Sequence, residues 1–180
     1  MIEYYTFEHR GEADDYNDRI FMSMSSSVTM ALVFGSSMES GREEAFEVFG
    51  KYFSEIGEKV DFLMLADEIS KQIGPECQYL ILEICNNQIA ALKYGNVNAK
   101  IVMGGELRDL PNGVFGLSEG DKIICATSNF YKYLSDEAIL CDAVVSDSCY
   151  EWMSFLVRRI SDKTELCCGN LTAVTFTVKP

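Results

Sequence analysis

The order of strand-like and helix-like segments constrains the fold of this chain more than any other feature. Short β-type runs open the sequence, two segments with helical spacing follow, and a series of further β-type runs comes next. Two more helical segments and one alternating run complete the chain. The apolar face of each predicted helix must pack against another apolar surface. This order therefore predicts an α+β fold of two sheets with a helix pair outside each sheet.

The β-type runs are short and are separated by residues that favour turns. We predict strands at 2–8, 20–24, 29–34, 79–85, 89–94, 97–103, 122–127 and 172–178. Asn86-Asn87, Gly95-Asn96 and Gly104-Gly105 punctuate the central runs, and these residue types accept the positive φ of tight turns. We interpret the central runs as a meander, in which each strand pairs with the next.

Apolar residues at helical spacing predict four helices. The capping residues place helix starts at Ser40, Ser135 and Ser148, and Glu151 completes a capping box with Ser148. The second helix is predicted over 62–73, with a stop at the following Gly-Pro pair. No internal repeat interrupts this pattern.

Length and charge limit the classes of function. The chain has 180 residues and lacks an internal Gly/Ser-rich or Pro-rich linker, so we predict a single domain over 1–180. The formal net charge is −13, and so acidic a protein repels phosphate backbones and anionic lipid headgroups. We therefore expect no nucleic-acid binding and no membrane binding, and a preference for basic partners.

The cysteines indicate a reducing compartment. There are seven of them, an odd number, and Cys85, Cys125 and Cys141 lie within apolar segments as buried free thiols would. The adjacent Cys167 and Cys168 resemble a redox or soft-metal site, but packing is the favoured interpretation because neither a second pair nor a nearby histidine accompanies them. With no secretory leader at the start of the sequence, we expect a cytoplasmic protein.

Five segments carry a recognisable combination of turns and polar residues, and they occur at 11–19, 31–45, 95–99, 117–131 and 169–174. In this order they resemble the motifs of the metal-dependent serine/threonine protein phosphatase family of type 2C (PPM-like). The clearest match is 117–131, in which Gly120-Asp121 leads into an apolar strand and then into Thr127-Ser128-Asn129-Phe130, where the family has Thr-Asp-Gly-Phe. The resemblance covers nearly the whole chain and implies the family's αββα four-layer sandwich, two antiparallel β-sheets flanked by helix pairs.

The resemblance also implies a chemistry. Family members hold two manganese or magnesium ions between carboxylates, and the hydroxide between the metals attacks the phosphorus of phosphoserine or phosphothreonine. Hard cations require anionic oxygen ligands, and the acidity of the attacking water depends on the metal.

The acidic residues that this chemistry needs are largely replaced. The family's metal-site positions correspond to Asn17, Asp18, Gly35, Ser36, Ser128, Asn129, Gly169 and Asn170. Asp18 alone retains a carboxylate at a ligand position and is the one weak candidate for a metal ligand. We therefore predict a degenerate metal site without catalytic residues and without a bound cofactor.

Two classes of function follow. The first is a catalytically inactive phosphatase-like domain, a pseudophosphatase, acting as a binding or regulatory module for a protein partner, through a phosphorylated or basic segment of that partner. The alternative is an active phosphoserine/phosphothreonine phosphatase with a rebuilt or single-metal site around Asp18, using Mn²⁺ or Mg²⁺. A third possibility is an unrelated α+β protein without a metal cleft. His9 is the only histidine, which excludes sites built on two histidines.

The acidic loop near the start of the chain also leaves two interpretations. Asp14, Asp15 and Asp18 are close in sequence and could together bind one cation. In so acidic a chain, a solvated loop is the favoured interpretation.

Overall fold

The computed structural model describes residues 1–24, 28–34, 39–55, 64, 67, 69, 71–72, 77–95, 97–163 and 169–180, of which 28–34, 39–42 and 55 are described by their backbone alone. Ten strands and four helices have defined bounds in these ranges. They are β1 Ile2–His9, β2 Asp18–Met24, β3 Val28–Phe34, α1 Glu39–Glu55, β4 Gln78–Cys85, β5 Gln88–Tyr94, β6 Val97–Met103, β7 Glu106–Asp109, β8 Gly113–Gly116, β9 Lys122–Thr127, α2 Ser128–Tyr131, α3 Asp136–Val145, α4 Cys149–Lys163 and β10 Leu171–Val178.

The strands form two antiparallel sheets of five, which confirms the predicted fold class. One sheet has the order β1-β10-β9-β6-β7 and the other β2-β3-β4-β5-β8. The predicted meander is wrong: β4 pairs with β5, but β6 belongs to the other sheet and pairs with β7. Alternating hydrophobicity identifies a strand but not its partner, and the chain changes sheets after the turn at Gly95, where φ is +82°.

The described chain divides into two compact units, and a single domain over 1–180 stays a prediction. The first unit comprises Met1–Tyr16, Asn98–Leu110 and Leu117–Pro180. Its core includes Trp152, which is wholly buried and donates its indole N–H to the Ile139 carbonyl at 3.3 Å. β10 is buried along its entire length, as expected of a strand paired on both sides.

The second unit comprises Asn17–Val97 and Pro111–Gly116. Its core joins α1 to β4 through residues such as Phe49 and Ile81, both wholly buried. Ile69, also wholly buried, belongs to the same core and to the second predicted helix.

The second predicted helix is only partly described. The described residues between 62 and 73 are helical, and they are Met64, Asp67, Ile69, Lys71 and Gln72. The predicted stop at Gly74-Pro75 lies outside the described residues.

The predicted helix starts are confirmed in two of three cases. Ser135 caps α3 by accepting a hydrogen bond from the Ala138 N–H at 3.2 Å. The Ser148 hydroxyl accepts from the Glu151 N–H at 3.1 Å, and the Glu151 carboxylate accepts from the N–H of residue 147 at 2.7 Å. Ser40 as an N-cap is wrong, because α1 begins one residue earlier and already includes it.

The cysteines differ in burial. Cys125 is buried as predicted and Cys85 is partly buried, whereas Cys141 is exposed. α3 directs Ile139, Asp142 and Ala143 inward, so the intervening Cys141 faces solvent. All three thiols are free, and Cys167 with Cys168 lies outside the described residues. Within the described ranges, no helix is long and apolar enough to cross a membrane.

Candidate functional site

The candidate metal-site positions fall into two groups, one in each compact unit. The first unit contains Ser128, Asn129, Gly169 and Asn170, and the second contains Asn17 and Asp18. Gly35 and Ser36 are the other two predicted metal-site positions, and both lie outside the described residues.

A buried threonine fixes the first group. Thr127, the last residue of β9, is 4% exposed and caps α2: its hydroxyl oxygen accepts from the Phe130 N–H at 3.3 Å. The same oxygen accepts from the Thr172 N–H at 3.4 Å, so one side chain ties the start of α2 to the start of β10. The Tyr16 hydroxyl lies 2.6 Å from the Thr172 hydroxyl and joins the loop after β1 to this point.

Tyr131 holds the other end of α2. Its hydroxyl donates to the Ile124 carbonyl at 3.0 Å and approaches the Asn98 carbonyl at 3.3 Å. Asn98 lies in β6 and belongs to the 95–99 segment of the sequence resemblance, so this tyrosine connects that segment with α2. Burial of the hydroxyl raises the pKa of Tyr131 well above its usual value, which keeps it a neutral donor.

The four first-unit positions lie together. Ser128 and Asn129 are the exposed first two residues of α2, and Gly169 and Asn170 directly precede β10. The Asn129 amide nitrogen donates to the Asn170 backbone carbonyl at 3.3 Å. A Cβ atom built on Gly169 would lie 2.9 Å from that same amide nitrogen, which is closer than a Cβ atom approaches a non-bonded heavy atom. The carboxamide of Asn129 thus occupies the space beside Gly169.

In the second unit, Asp18 opens β2 and is 6% exposed. It pairs in register with Phe34, the last residue of β3, and Gly35 follows Phe34 in the sequence. Asn17, directly before the strand, is partly buried. The strand pairing therefore fixes Asp18 beside the residue that ends β3.

The first-unit positions do not fit a divalent metal ion. The side-chain groups that could bind a metal here are the Ser128 hydroxyl and the Asn129 and Asn170 carboxamides, and all of them are uncharged. The Asn129 amide nitrogen is directed at the Asn170 backbone carbonyl. Mg²⁺ and Mn²⁺ are held chiefly by anionic carboxylates, and Asp18 is the single acid among the six described positions. Within the described ranges, no three His, Cys, Asp or Glu side chains are grouped so that they could hold a metal.

The acidic residues near the start of the chain differ in burial. Asp14 and Asp15 are exposed, whereas Asp18 is buried. The neighbouring Arg10 guanidinium reaches the Asp14 backbone carbonyl at 3.3 Å. His9, the only histidine, accepts from the Gly11 N–H at 2.9 Å through Nδ1 and so supports the turn after β1.

Thr127, Thr172 and Tyr16 are the site-forming residues that sequence reasoning did not identify. Thr127 is part of the segment that resembles Thr-Asp-Gly-Phe, and a threonine directly before a short helix is typical of an N-cap. The Tyr16–Thr172 contact spans 156 residues, and no local sequence signal indicates it.

No protein-family model matches the sequence, and no curated protein matches it either. Solved structures do match along nearly the whole chain. The S. agalactiae serine/threonine phosphatase is 14% identical, with a TM-score of 0.79 and coverage of 99% of this chain and 100% of that one. RsbX in complex with magnesium is 16% identical, with a TM-score of 0.75 and coverage of 99% and 96%. The catalytic domain of the phosphatase PstP in complex with two manganese ions is 12% identical, with a TM-score of 0.71 and coverage of 99% of both chains.

These likenesses agree with the sequence motifs and with the two antiparallel sheets and their helices. At identities of this level they establish architecture and leave activity open. The chain has the fold of the PPM-type, 2C-like serine/threonine phosphatases over nearly its whole length.

Proposed function

We propose that this chain is a pseudophosphatase: a phosphatase-like protein without hydrolytic activity, which acts in the cytoplasm as a binding or regulatory module. The observation that carries the proposal is the neutral arrangement of Asn129, Gly169 and Asn170. Two positions that the sequence resemblance aligns with metal-binding aspartates, 128 and 169, carry a serine and a glycine. The Asn129 amide lies beside that glycine and is bonded to the Asn170 carbonyl at 3.3 Å.

The electrostatics of this arrangement argue against metal-assisted hydrolysis. Negatively charged ligands must compensate a divalent ion for the free energy of its lost hydration. Only a bound ion lowers the pKa of an attacking water into the neutral range. RsbX and PstP were each solved with divalent ions. In this chain the side chains at the first-unit positions offer uncharged oxygens, and the Asn129 amide donates an N–H to a backbone carbonyl.

The charge of the chain favours a basic partner segment. With 28 acidic and 15 basic side chains, the surface attracts cationic peptides and repels anionic ones. A phosphorylated segment is the other class that the sequence suggested, and it would have to overcome this repulsion. We therefore propose a protein partner with a basic segment.

The burial of Asp18 favours a second candidate function. A carboxylate that is 6% exposed at the start of a strand could anchor a single metal ion in a rebuilt site. That site would need further anionic ligands, and none of the other five described positions supplies one.

Hydrolysis of an aryl phosphate in excess Mn²⁺ or Mg²⁺ tests the proposal. The wild-type chain is compared with Asp18→Asn, which keeps the size of the buried side chain and removes its charge. We expect the two proteins to show the same rate as metal and buffer alone. Metal-dependent turnover that is lost in Asp18→Asn would contradict the proposal and support the single-metal alternative.

Binding of matched peptides tests the partner class. A Lys/Arg-rich peptide containing one serine is compared with its phosphoserine form and with a neutral scrambled peptide. We expect the unmodified basic peptide to bind most tightly and to weaken as salt screens the attraction. Tighter binding of the phosphoserine form, or binding of the neutral peptide with equal affinity, would contradict a basic partner.

A further inference from the structure

The close approach of Asn129 to Gly169 couples two substitutions that are distant in sequence. The Asn129 amide nitrogen lies 3.3 Å from the Asn170 carbonyl oxygen and 2.9 Å from the point where a Cβ on residue 169 would lie. Asn170 is 9% exposed, so its surroundings leave it little room to retreat. Asn129 is exposed, and its carboxamide is the movable member of the group.

We infer that Asn129 and Gly169 form a coupled pair in which the carboxamide stands where the side chain of residue 169 would begin. A Cβ atom at 169 would lie too close to the Asn129 amide nitrogen in its present position, so a side chain at 169 requires the carboxamide to shift and strains its hydrogen bond to Asn170. The sequence resemblance places a glycine at 129 and an aspartate at 169 in the family, so this chain carries the side chain at the opposite member of the pair.

The coupling opposes the return of an acidic side chain at position 169. Returning an aspartate to 169 alone would displace Asn129 and break its hydrogen bond to the Asn170 carbonyl. Removing the Asn129 side chain first would open the space. The neutral form of this half of the site is thus fixed by two residues rather than by the absence of one carboxylate.

A double-mutant cycle between Asn129→Ala and Gly169→Ala tests the coupling. In the wild-type background we expect Gly169→Ala to lower the folding equilibrium constant roughly five-fold, the loss of one ordinary hydrogen bond. In the Asn129→Ala background the same change should have no such cost, because the displaced amide is already gone. A cost that is equal in both backgrounds would overturn the inference and assign the effect to the backbone at residue 169.

The side-chain NH₂ signals of Asn129 provide a second readout that does not depend on a change in stability. In the wild type we expect these NMR signals to report a hydrogen-bonded amide, and in Gly169→Ala to move toward the values of a solvated one. Unchanged signals in the folded variant would also overturn the inference. Repeating the cycle with Gly169→Asp extends it to the carboxylate, and we expect the same relief by Asn129→Ala.

The inference deepens the proposed function and rests on its assignment of positions 128 and 169, but the two fail separately. Independent effects in the cycle would remove the coupling while leaving the phosphatase assay untouched. Metal-dependent turnover would remove the proposed function while leaving the contact between Asn129 and Gly169 intact.

Discussion

Thr127 is the residue on which the geometry of the first-unit site most depends. Its buried hydroxyl oxygen accepts from the Phe130 N–H at 3.3 Å and from the Thr172 N–H at 3.4 Å. Thr127→Val keeps the shape of the side chain and removes this acceptor, so the Phe130 and Thr172 N–H groups both lose the hydrogen bond to it. The loss of an N-cap costs about 1 kcal/mol, and a second unmade hydrogen bond costs about as much again.

The expected total for Thr127→Val is therefore about 2 kcal/mol, which for a chain of this length lowers the melting temperature by about 4–8 °C. Thr127→Ser is the matched control, because it keeps the hydroxyl and loses only a buried methyl group, at about 1 kcal/mol. Hydrogen exchange separates the two effects. The Phe130 and Thr172 amides should exchange faster in Thr127→Val and remain protected in Thr127→Ser. Equal protection of both amides in the two variants would refute the assignment of Thr127 as their common acceptor.

Two further predictions concern ion pairs in the first unit. The Asp142 carboxylate, only 5% exposed, receives two hydrogen bonds from Arg159 at 2.6 and 2.8 Å. Arg159→Met removes both hydrogen bonds from the buried Asp142 carboxylate, so it should lower the stability measured by urea unfolding, and adding Asp142→Leu should recover most of that loss. A double variant no more stable than Arg159→Met would contradict this prediction. Partial burial raises the pKa of Glu3, but hydrogen bonds from Lys179 and the Cys149 N–H outweigh it and hold that pKa below its usual value. The ionised Glu3 therefore stabilises the fold above the ordinary carboxyl pKa, and this stabilisation is lost as the pH falls through the folded-state pKa. Glu3→Gln should lose less stability than the wild type as the pH falls through this range. Parallel plots of stability against pH for the two proteins would contradict the prediction.

The sequence predicted the elements of this fold better than their partners. Most strand bounds agree with the structure within one or two residues, and β6 agrees at both ends. β7 and β8 were not predicted, because four residues such as Glu106–Asp109 carry too short an alternation to distinguish a strand from a loop. The membership of β6 in the sheet of β9 depends on tertiary pairing, which periodicity does not encode.

The candidate site was predicted in the same uneven way. Positions 128–129 and 169–170 lie together in the structure, where the Asn129–Asn170 hydrogen bond joins them, and their identity as former metal-site positions stays a prediction. The sequence could not indicate that the Asn129 amide occupies the space beside Gly169, because the contact joins segments about 40 residues apart and depends on a rotamer. The roles of Thr127 and Tyr131 as anchors of α2 also required the structure, since both act through backbone groups of other strands.

The most direct test of the central claim is a titration of the wild-type chain with Mn²⁺, followed by electron paramagnetic resonance of the free ion and with Asp18→Asn as the reference. The claim is that neutral residues now occupy positions that once could hold metal. We predict no saturable Mn²⁺ binding in the physiological concentration range, and indistinguishable titrations for the two proteins. Saturable binding of one or two ions that Asp18→Asn abolishes would contradict the claim and would mean that the metal site has been rebuilt around Asp18.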